Sequence, residues 1–187
     1  MNDETSNGDS VIVAENNVSA SAKDVSGDQT PTIPVAVPKP GGVKVLIPEK
    51  VFNIEGPEDA LRVSYDDIDL LKVINMEPVT ADAPKYMPTW LKSLDGKRVR
   101  IRGYMFPPFE QTDLTWFDMA RDTQICCFGR APKIYDVFRV KLKEGETTDY
   151  IELKPFDVVG VFHIDPVQLG DDLIQMYNID DAVIVKK

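Results

Sequence analysis

The sequence has one His, two Cys that are adjacent, and no apolar run long enough to span a bilayer. Two neighbouring cysteines exclude a disulfide framework, and a single histidine excludes a His-rich metal cage. The chain also lacks a Gly-rich phosphate-binding loop and the Gly-x-Ser-x-Gly turn of many hydrolases. These absences predict no transmembrane segment in this chain and favour a protein that binds rather than catalyses.

Basic side chains are fewer than acidic ones. The 187 residues hold 31 Asp and Glu against 21 Lys and Arg, which gives a formal net charge of −10. Binding a polyanion requires a positive surface from which counterions are released, so this balance argues against general nucleic-acid binding. The apolar content of 43% is sufficient for a packed core.

Three segments differ in composition. Residues 1–42 contain no aromatic side chain and end in a Pro-rich run, which predicts a disordered tail or linker. They lack the features of a signal peptide, and they suit either a solubilising tail or a tether to an upstream membrane anchor. Residues 43–94 predict an N-terminal strand and a helical segment packed on a barrel. Residues 95–187 predict the barrel itself.

The segment 43–94 carries helix signals. Residues 43–47 predict a short edge strand, and Ser64 predicts a helix start with Asp67 at the capping-box position. A second helical spacing over 86–94 places Trp90 in the core. The apolar face of the first helix is expected to carry Ile68, Leu71 and Ile74.

From residue 95 the apolar period changes to two, which is typical of strands. Gly103 and Gly160, inside the first and fourth strands, permit the tight curl of a small closed barrel. The last strand is expected to bend at Asp180 and Asp181, and no helix is expected over 143–155. The predicted strands are 98–105, 114–120, 134–142, 156–164 and 173–185. We therefore predict a mainly β fold, a five-stranded OB-like barrel preceded by one or two short helices, with a β-sandwich as the alternative.

The loop 121–132 joins the second and third predicted strands and contains Cys126 and Cys127. Arg121 and Arg130 lie nearby and favour the thiolate, the form that binds metal and undergoes redox chemistry. Three interpretations stay open: simple packing, a soft divalent metal as cofactor, and a reducible vicinal disulfide. The further ligands that the sequence offers to a metal are Asp118, Asp122 and His163, although His163 inside a strand favours a structural role.

One strand face is basic. Arg98, Arg100 and Arg102 alternate with apolar residues and lie beside Tyr104. On an OB barrel such a face can stack single-stranded nucleic acid, but the outer face of any amphipathic strand is polar. The acids expected to neutralise part of this face are Glu110, Asp113 and Asp118.

Several runs resemble a family of small uncharacterised bacterial proteins, a domain of unknown function with an OB-like β-barrel. The runs are 66–71, 87–91, 94–105, 125–129 (Ile-Cys-Cys-Phe-Gly) and 156–162, and the resemblance covers about residues 60–185. It implies an exported or envelope-associated protein, and it implies no activity.

Together these features predict a non-enzymatic binding module of the bacterial cell envelope, with a protein or a small ligand as its partner. One alternative is a metal-binding or thiol-redox protein that uses Cys126 and Cys127. The second is single-stranded nucleic-acid binding through the face formed by residues 97–104.

Overall fold

The computed structural model describes residues 42–185, apart from Phe128, Arg130 and the side chains of Cys126 and Cys127. The predicted tail, except for Gly42, therefore lies outside the described residues. No helix in the described part of the chain is long and apolar enough to cross a membrane.

The described residues are mainly β, as the sequence predicts, with few and short helices. The strands are β1 (Ile54–Glu55), β2 (Ala60–Val63), β3 (Arg98–Met105), β4 (Trp116–Ala120), β5 (Val137–Leu142), β6 (Phe156–Leu169) and β7 (Asp172–Val185). The α-helices are α1 (Leu70–Ile74), α2 (Thr89–Lys92) and α3 (Gln124–Cys127), and two 3-10 turns cover Tyr65–Asp67 and Ala83–Lys85.

The strands form one mixed sheet in the order β1-β2-β3-β4-β5-β7-β6. An additional antiparallel pairing joins β6, the last strand of that order, to β3. Two pairs are parallel, β2 with β3 and β5 with β7, and the others are antiparallel. The five strands from β3 to β7 thus hydrogen-bond in a series that returns to β3.

Strand β3 makes this arrangement possible because it pairs with three other strands. One edge pairs with β6 over residues 98–103, while the other pairs with β2 over 99–101 and with β4 over 104–105. Gly103 lies where β3 leaves β2 and meets β4. A Cβ atom there would lie 2.7 Å from the carbonyl oxygen of Ala120 and 3.1 Å from the Tyr65 ring, so only glycine permits this close approach.

Gly160 has the same role on β6. A Cβ atom at this position would lie 2.5 Å from Ile179 Cγ2 and 2.8 Å from the carbonyl oxygen of Asp180. Opposite Gly160 the register shifts, because Val159 faces Val183 whereas Val161 faces Asp180. The extra residue is accommodated at Asp181, which has a φ of 49°. The predicted bend of the last strand is confirmed.

The chain before β3 differs from the prediction in two respects. Residues 43–47 are not a strand; their amides at Lys44 and Leu46 donate instead to the carbonyls of Ile74 and Val73 near the end of α1. The helix predicted from Ser64 is divided into a 3-10 turn and α1, because Asp69 caps α1 with its own carboxylate. This division rotates Leu71 out of the apolar face, and its side chain is exposed.

Other predictions in this part are confirmed. The amide and hydroxyl of Ser64 both donate to Asp67, as the capping position implies. Trp90 is buried in the core, and its indole N–H donates to the carbonyl of Ile47 at 2.8 Å. Residues 143–155 contain no helix.

The segment 121–132 is not a plain loop, because α3 lies within it. The helices therefore do not all precede the five paired strands. Cys126 and Cys127, predicted to lie in a loop, both belong to α3. The alternation of apolar residues in the flanking strands carries no signal for so short a helix.

Replacing Gly160 by Ala tests the close approach of β6 and β7. We expect a loss of about 1–3 kcal/mol in the free energy of unfolding, because the added methyl group overlaps Ile179 and the Asp180 backbone. Urea denaturation measures it. The matched control is Gln168→Ala, at an exposed position of the same strand, which we expect to cost little. Equal stability of both variants would contradict the close approach.

Candidate functional site

The arginines of the face predicted as a ligand surface pair with acidic side chains of the protein itself. Arg100 and Arg102 on β3 both reach Asp157 on β6, with Nε–oxygen distances of 2.8 and 2.6 Å. Arg62 on β2 donates to the same carboxylate at 3.0 Å. Only 4% of the Asp157 side chain is exposed, so this single acid holds three guanidinium groups and ties three strands together.

The remaining arginine of that face is also paired. Arg98 lies 2.6 Å from the carboxylate of Asp181 on β7. Among the described residues, the acids expected to neutralise the face make no hydrogen bond or ion pair with it; they are Glu110, Asp113 and Asp118. Asp118 pairs with Arg139 instead. Tyr104 is half-buried on β3, where its backbone pairs with Ala120.

The electrostatics of Asp157 follow from its surroundings. Burial alone would raise the pKa of its carboxyl group. Hydrogen bonds from Arg102, Arg100 and Arg62 act in the opposite direction and prevail, so the pKa lies below its usual value. The surroundings of Asp157 in the folded state therefore stabilise its charged form.

Arg121, at the start of the segment 121–132 that contains the cysteines, also pairs with carboxylates. Its guanidinium donates to Asp69 at 3.0 Å, contacts Asp66, and lies 3.6 Å from Asp136. Three carboxylates surround one cation, which opposes the electropositive setting that the sequence suggests for the thiols. Arg130, the other arginine, lies outside the described residues.

Of the predicted metal ligands, the structure describes the side chains of Asp122 and His163 but not those of Cys126 and Cys127. Asp122 accepts a hydrogen bond from the amide of Gln124 at 2.9 Å, at the start of α3. His163 lies on β6, with its ring nitrogens 3.7 Å from Asp95 and 3.8 Å from Asp180. Among the described side chains no group of three metal-binding residues occurs, but the thiols of Cys126 and Cys127 are outside that set. A metal site at these four residues stays a prediction.

The outer face of β4 and β5 presents a different set of side chains. In the antiparallel register Trp116 faces Lys141 and Asp118 faces Arg139, while the intervening residues point into the core. The Arg139 guanidinium lies 4.1 Å from the centre of the Trp116 ring and donates to Asp118 at 3.1 Å. This ladder of carboxylate, guanidinium and indole fixes the orientation of a half-exposed tryptophan.

A cavity of about 640 Å³ borders this ladder. Its far wall is the loop that connects β3 to β4, where Pro107, Pro108 and Phe109 follow one another. The Phe109 side chain is fully exposed and 50% of Trp116 is exposed. Large aromatic side chains left in water beside a concavity mark a binding surface more often than an ordinary surface.

A second cavity of about 400 Å³ shares Asp118 and Arg139 with the first. Its other walls come from residues 132–134 and from Leu173 and Ile174, at the end of the β6–β7 hairpin. The two cavities meet at Asp118 and Arg139, on the outer face of β4 and β5, and we treat them as one surface. We call it the β4–β5 groove and define it by Phe109, Trp116, Asp118, Arg139 and Ile174.

This groove is not predicted from the sequence. Two features of the sequence relate to it: Phe109 follows two prolines, and Trp116 occupies an outward-facing position of a strand whose inward residues are Phe117 and Met119. Neither feature shows that Arg139 stacks on Trp116, because that contact depends on the register between two strands.

Comparison with known proteins adds a distant similarity. No family model matches the sequence, and no curated protein matches it. Among solved structures, the crystal structure of a DUF3299 family protein from Pseudomonas aeruginosa PAO1 is similar to this chain. The two are 16% identical, with a TM-score of 0.45, over 68% of this chain and 97% of the other. A similarity of this size assigns neither a function nor binding residues.

Replacing Asp157 by Asn tests whether one carboxylate ties the three strands. We expect the free energy of unfolding to fall by about 3 kcal/mol, because the variant leaves three guanidinium groups around a neutral side chain. Asp181→Asn is the matched control. It removes the carboxylate that pairs with Arg98, which is more exposed than Asp157, and we expect it to lower the free energy of unfolding by at most about 1 kcal/mol.

The pH dependence of stability supplies a second readout for the same pair of variants. The folded pKa of Asp157 lies below the unfolded value of about 3.9. Its contribution is complete above the unfolded pKa and is lost as the pH falls through the folded pKa. We expect this loss in the unaltered protein and a flatter acid profile in Asp157→Asn. An unchanged profile would show that Asp157 does not carry the effect.

The metal prediction has its own measurement. If Cys126 and Cys127 bind a soft divalent metal, protein purified without chelator carries about one zinc or copper per chain. The double variant Cys126→Ser/Cys127→Ser then loses the metal, while Glu144→Gln, at an exposed acid outside the predicted ligand set, keeps it. Two free thiols and no metal in the unaltered protein would contradict the prediction.

Proposed function

We propose that the chain is a non-enzymatic binding module, a closed OB-type barrel whose ligand surface is the β4–β5 groove. The strand pairings support the barrel. The order β3-β4-β5-β7-β6 with a return to β3, and the parallel pairing of β5 with β7, suit a five-stranded Greek-key barrel. The close approaches at Gly103 and Gly160 suit its small diameter.

The position of the groove supports the choice of surface. OB-type barrels bind their ligands on the face of their second and third strands, flanked by the loop between the first two strands and the loop between the last two. In this chain those elements are β4, β5, the loop with Phe109 and the hairpin with Ile174. The described cavities lie at both ends of that face.

The observation that carries the proposal is the state of Trp116. Its ring is half-exposed, yet Arg139 and Asp118 hold it in one orientation beside a cavity of about 640 Å³. Ordering a large side chain in advance lowers the entropic cost of binding a ligand to it. Trp116 lies on the outward face of β4, so the packing of the core does not require a tryptophan there.

Charge favours a protein or small ligand over nucleic acid. The first cavity is lined by Glu110, Asp113 and Asp118 against one basic residue, Arg139. A polyanion would be repelled at such a surface. The arginines of β3 that suit nucleic acid are paired with Asp157 and Asp181. The envelope location is implied by the family resemblance alone.

The two tryptophans provide a direct test. We expect the indole N–H signal of Trp116 in an NMR titration to shift on binding, while that of Trp90, buried and bonded to Ile47, does not. The probes are a proline-rich basic peptide, a neutral oligosaccharide and a single-stranded oligothymidylate.

Binding of any probe that shifts Trp116 supports the groove as the ligand surface. Trp116→Ala abolishes that binding, whereas Ile54→Ala, at an exposed apolar position on β1, serves as the control. No shift with any probe, or binding that perturbs Arg98 and Arg102 instead, would overturn the proposal.

A further inference from the structure

The β4–β5 groove presents side chains to a ligand. β4 pairs with β5 along its whole length, whereas its pairing with β3 covers only Met119 and Ala120. Trp116 and Asp118 on β4, and Arg139 on β5, project from the outer face of the sheet. A ligand that lies across this face therefore makes its contacts with side chains.

The side chains supply aromatic and proline surfaces at one end of the groove. Phe109 is fully exposed, Trp116 is half-exposed, and Pro107 and Pro108 line the same cavity. Aromatic-lined grooves of this kind bind polyproline II segments, whose backbone forms no internal hydrogen bonds and is already extended. Side-chain packing then carries the affinity.

Two carboxylates lie at the same end of the groove. Among the described residues, the side chains of Glu110 and Asp113 make no hydrogen bond or ion pair, whereas Asp118 is satisfied by Arg139. Carboxylates without a cation beside them favour a positively charged ligand.

We propose that the β4–β5 groove binds a proline-rich peptide segment of a partner protein, with a Lys or Arg of that segment placed against Glu110 and Asp113. This inference rests on the proposed function and names the class of its ligand. The prolines pack on Phe109 and Trp116. The basic residue supplies the charge that the groove lacks.

Calorimetric titration of the full chain with synthetic peptides tests this inference. The first peptide repeats Pro-Pro-Lys, the second replaces Lys by Glu, and the third replaces Pro by Ala. We expect binding of the first alone, weakening as salt is raised because the charges are exposed to solvent.

Variants locate the contact. Glu110→Gln/Asp113→Asn weakens binding of the Pro-Pro-Lys peptide about three- to tenfold, since two exposed ion pairs are lost. Glu144→Gln, at an exposed acid in a different cavity, leaves the affinity unchanged. Trp116→Ala abolishes binding, and circular dichroism confirms that each variant is folded.

The possible outcomes distinguish failure of the peptide assignment from failure of the proposed function. Binding of an oligosaccharide that depends on Trp116, with no binding of any peptide, overturns the peptide assignment and leaves the groove as the ligand surface. Equal binding of the Lys and Glu peptides overturns the role of Glu110 and Asp113. Peptide binding that is unaffected by Trp116→Ala overturns both proposals.

Discussion

The close approach of β3 to β4 at Gly103 is the constraint on which the other features depend. Before this residue β3 pairs with β2 and after it with β4, while its opposite edge pairs with β6 up to Gly103 itself. A side chain at this position would overlap the Ala120 backbone. Without that approach β3 could not pass from β2 to β4 along one edge, and β4 would lose its pairing with β3.

Two polar surfaces follow from this geometry, and they are opposite in character. On the β3 face, Asp157 and Asp181 occupy the arginines, so a surface rich in charge serves to join strands. On the β4–β5 face, an ion pair orients Trp116 and leaves it accessible. The more highly charged surface is thus the structural one, and the binding surface that we propose contains few free cations.

How much of this the sequence predicts depends on the distance along the chain between the residues involved. The alternation in β3, the two glycines and the bend near Asp181 are local patterns, so they are predicted correctly. The partners of the arginines are not local, since Asp157 is 95 positions from Arg62. The groove depends likewise on the register of β4 with β5, and on a hairpin that extends β6 to Leu169, beyond the predicted end. Short helices such as α3 give no periodic signal at all.

Hydrogen–deuterium exchange of the full chain, with and without a saturating proline-rich basic peptide, tests the groove most directly. Phe109, Glu110 and Asp113 belong to the loop over 106–115, so a ligand that contacts them slows amide exchange mainly in that loop. The account predicts protection there. Unchanged exchange in that loop at a saturating concentration of a peptide that binds would contradict it.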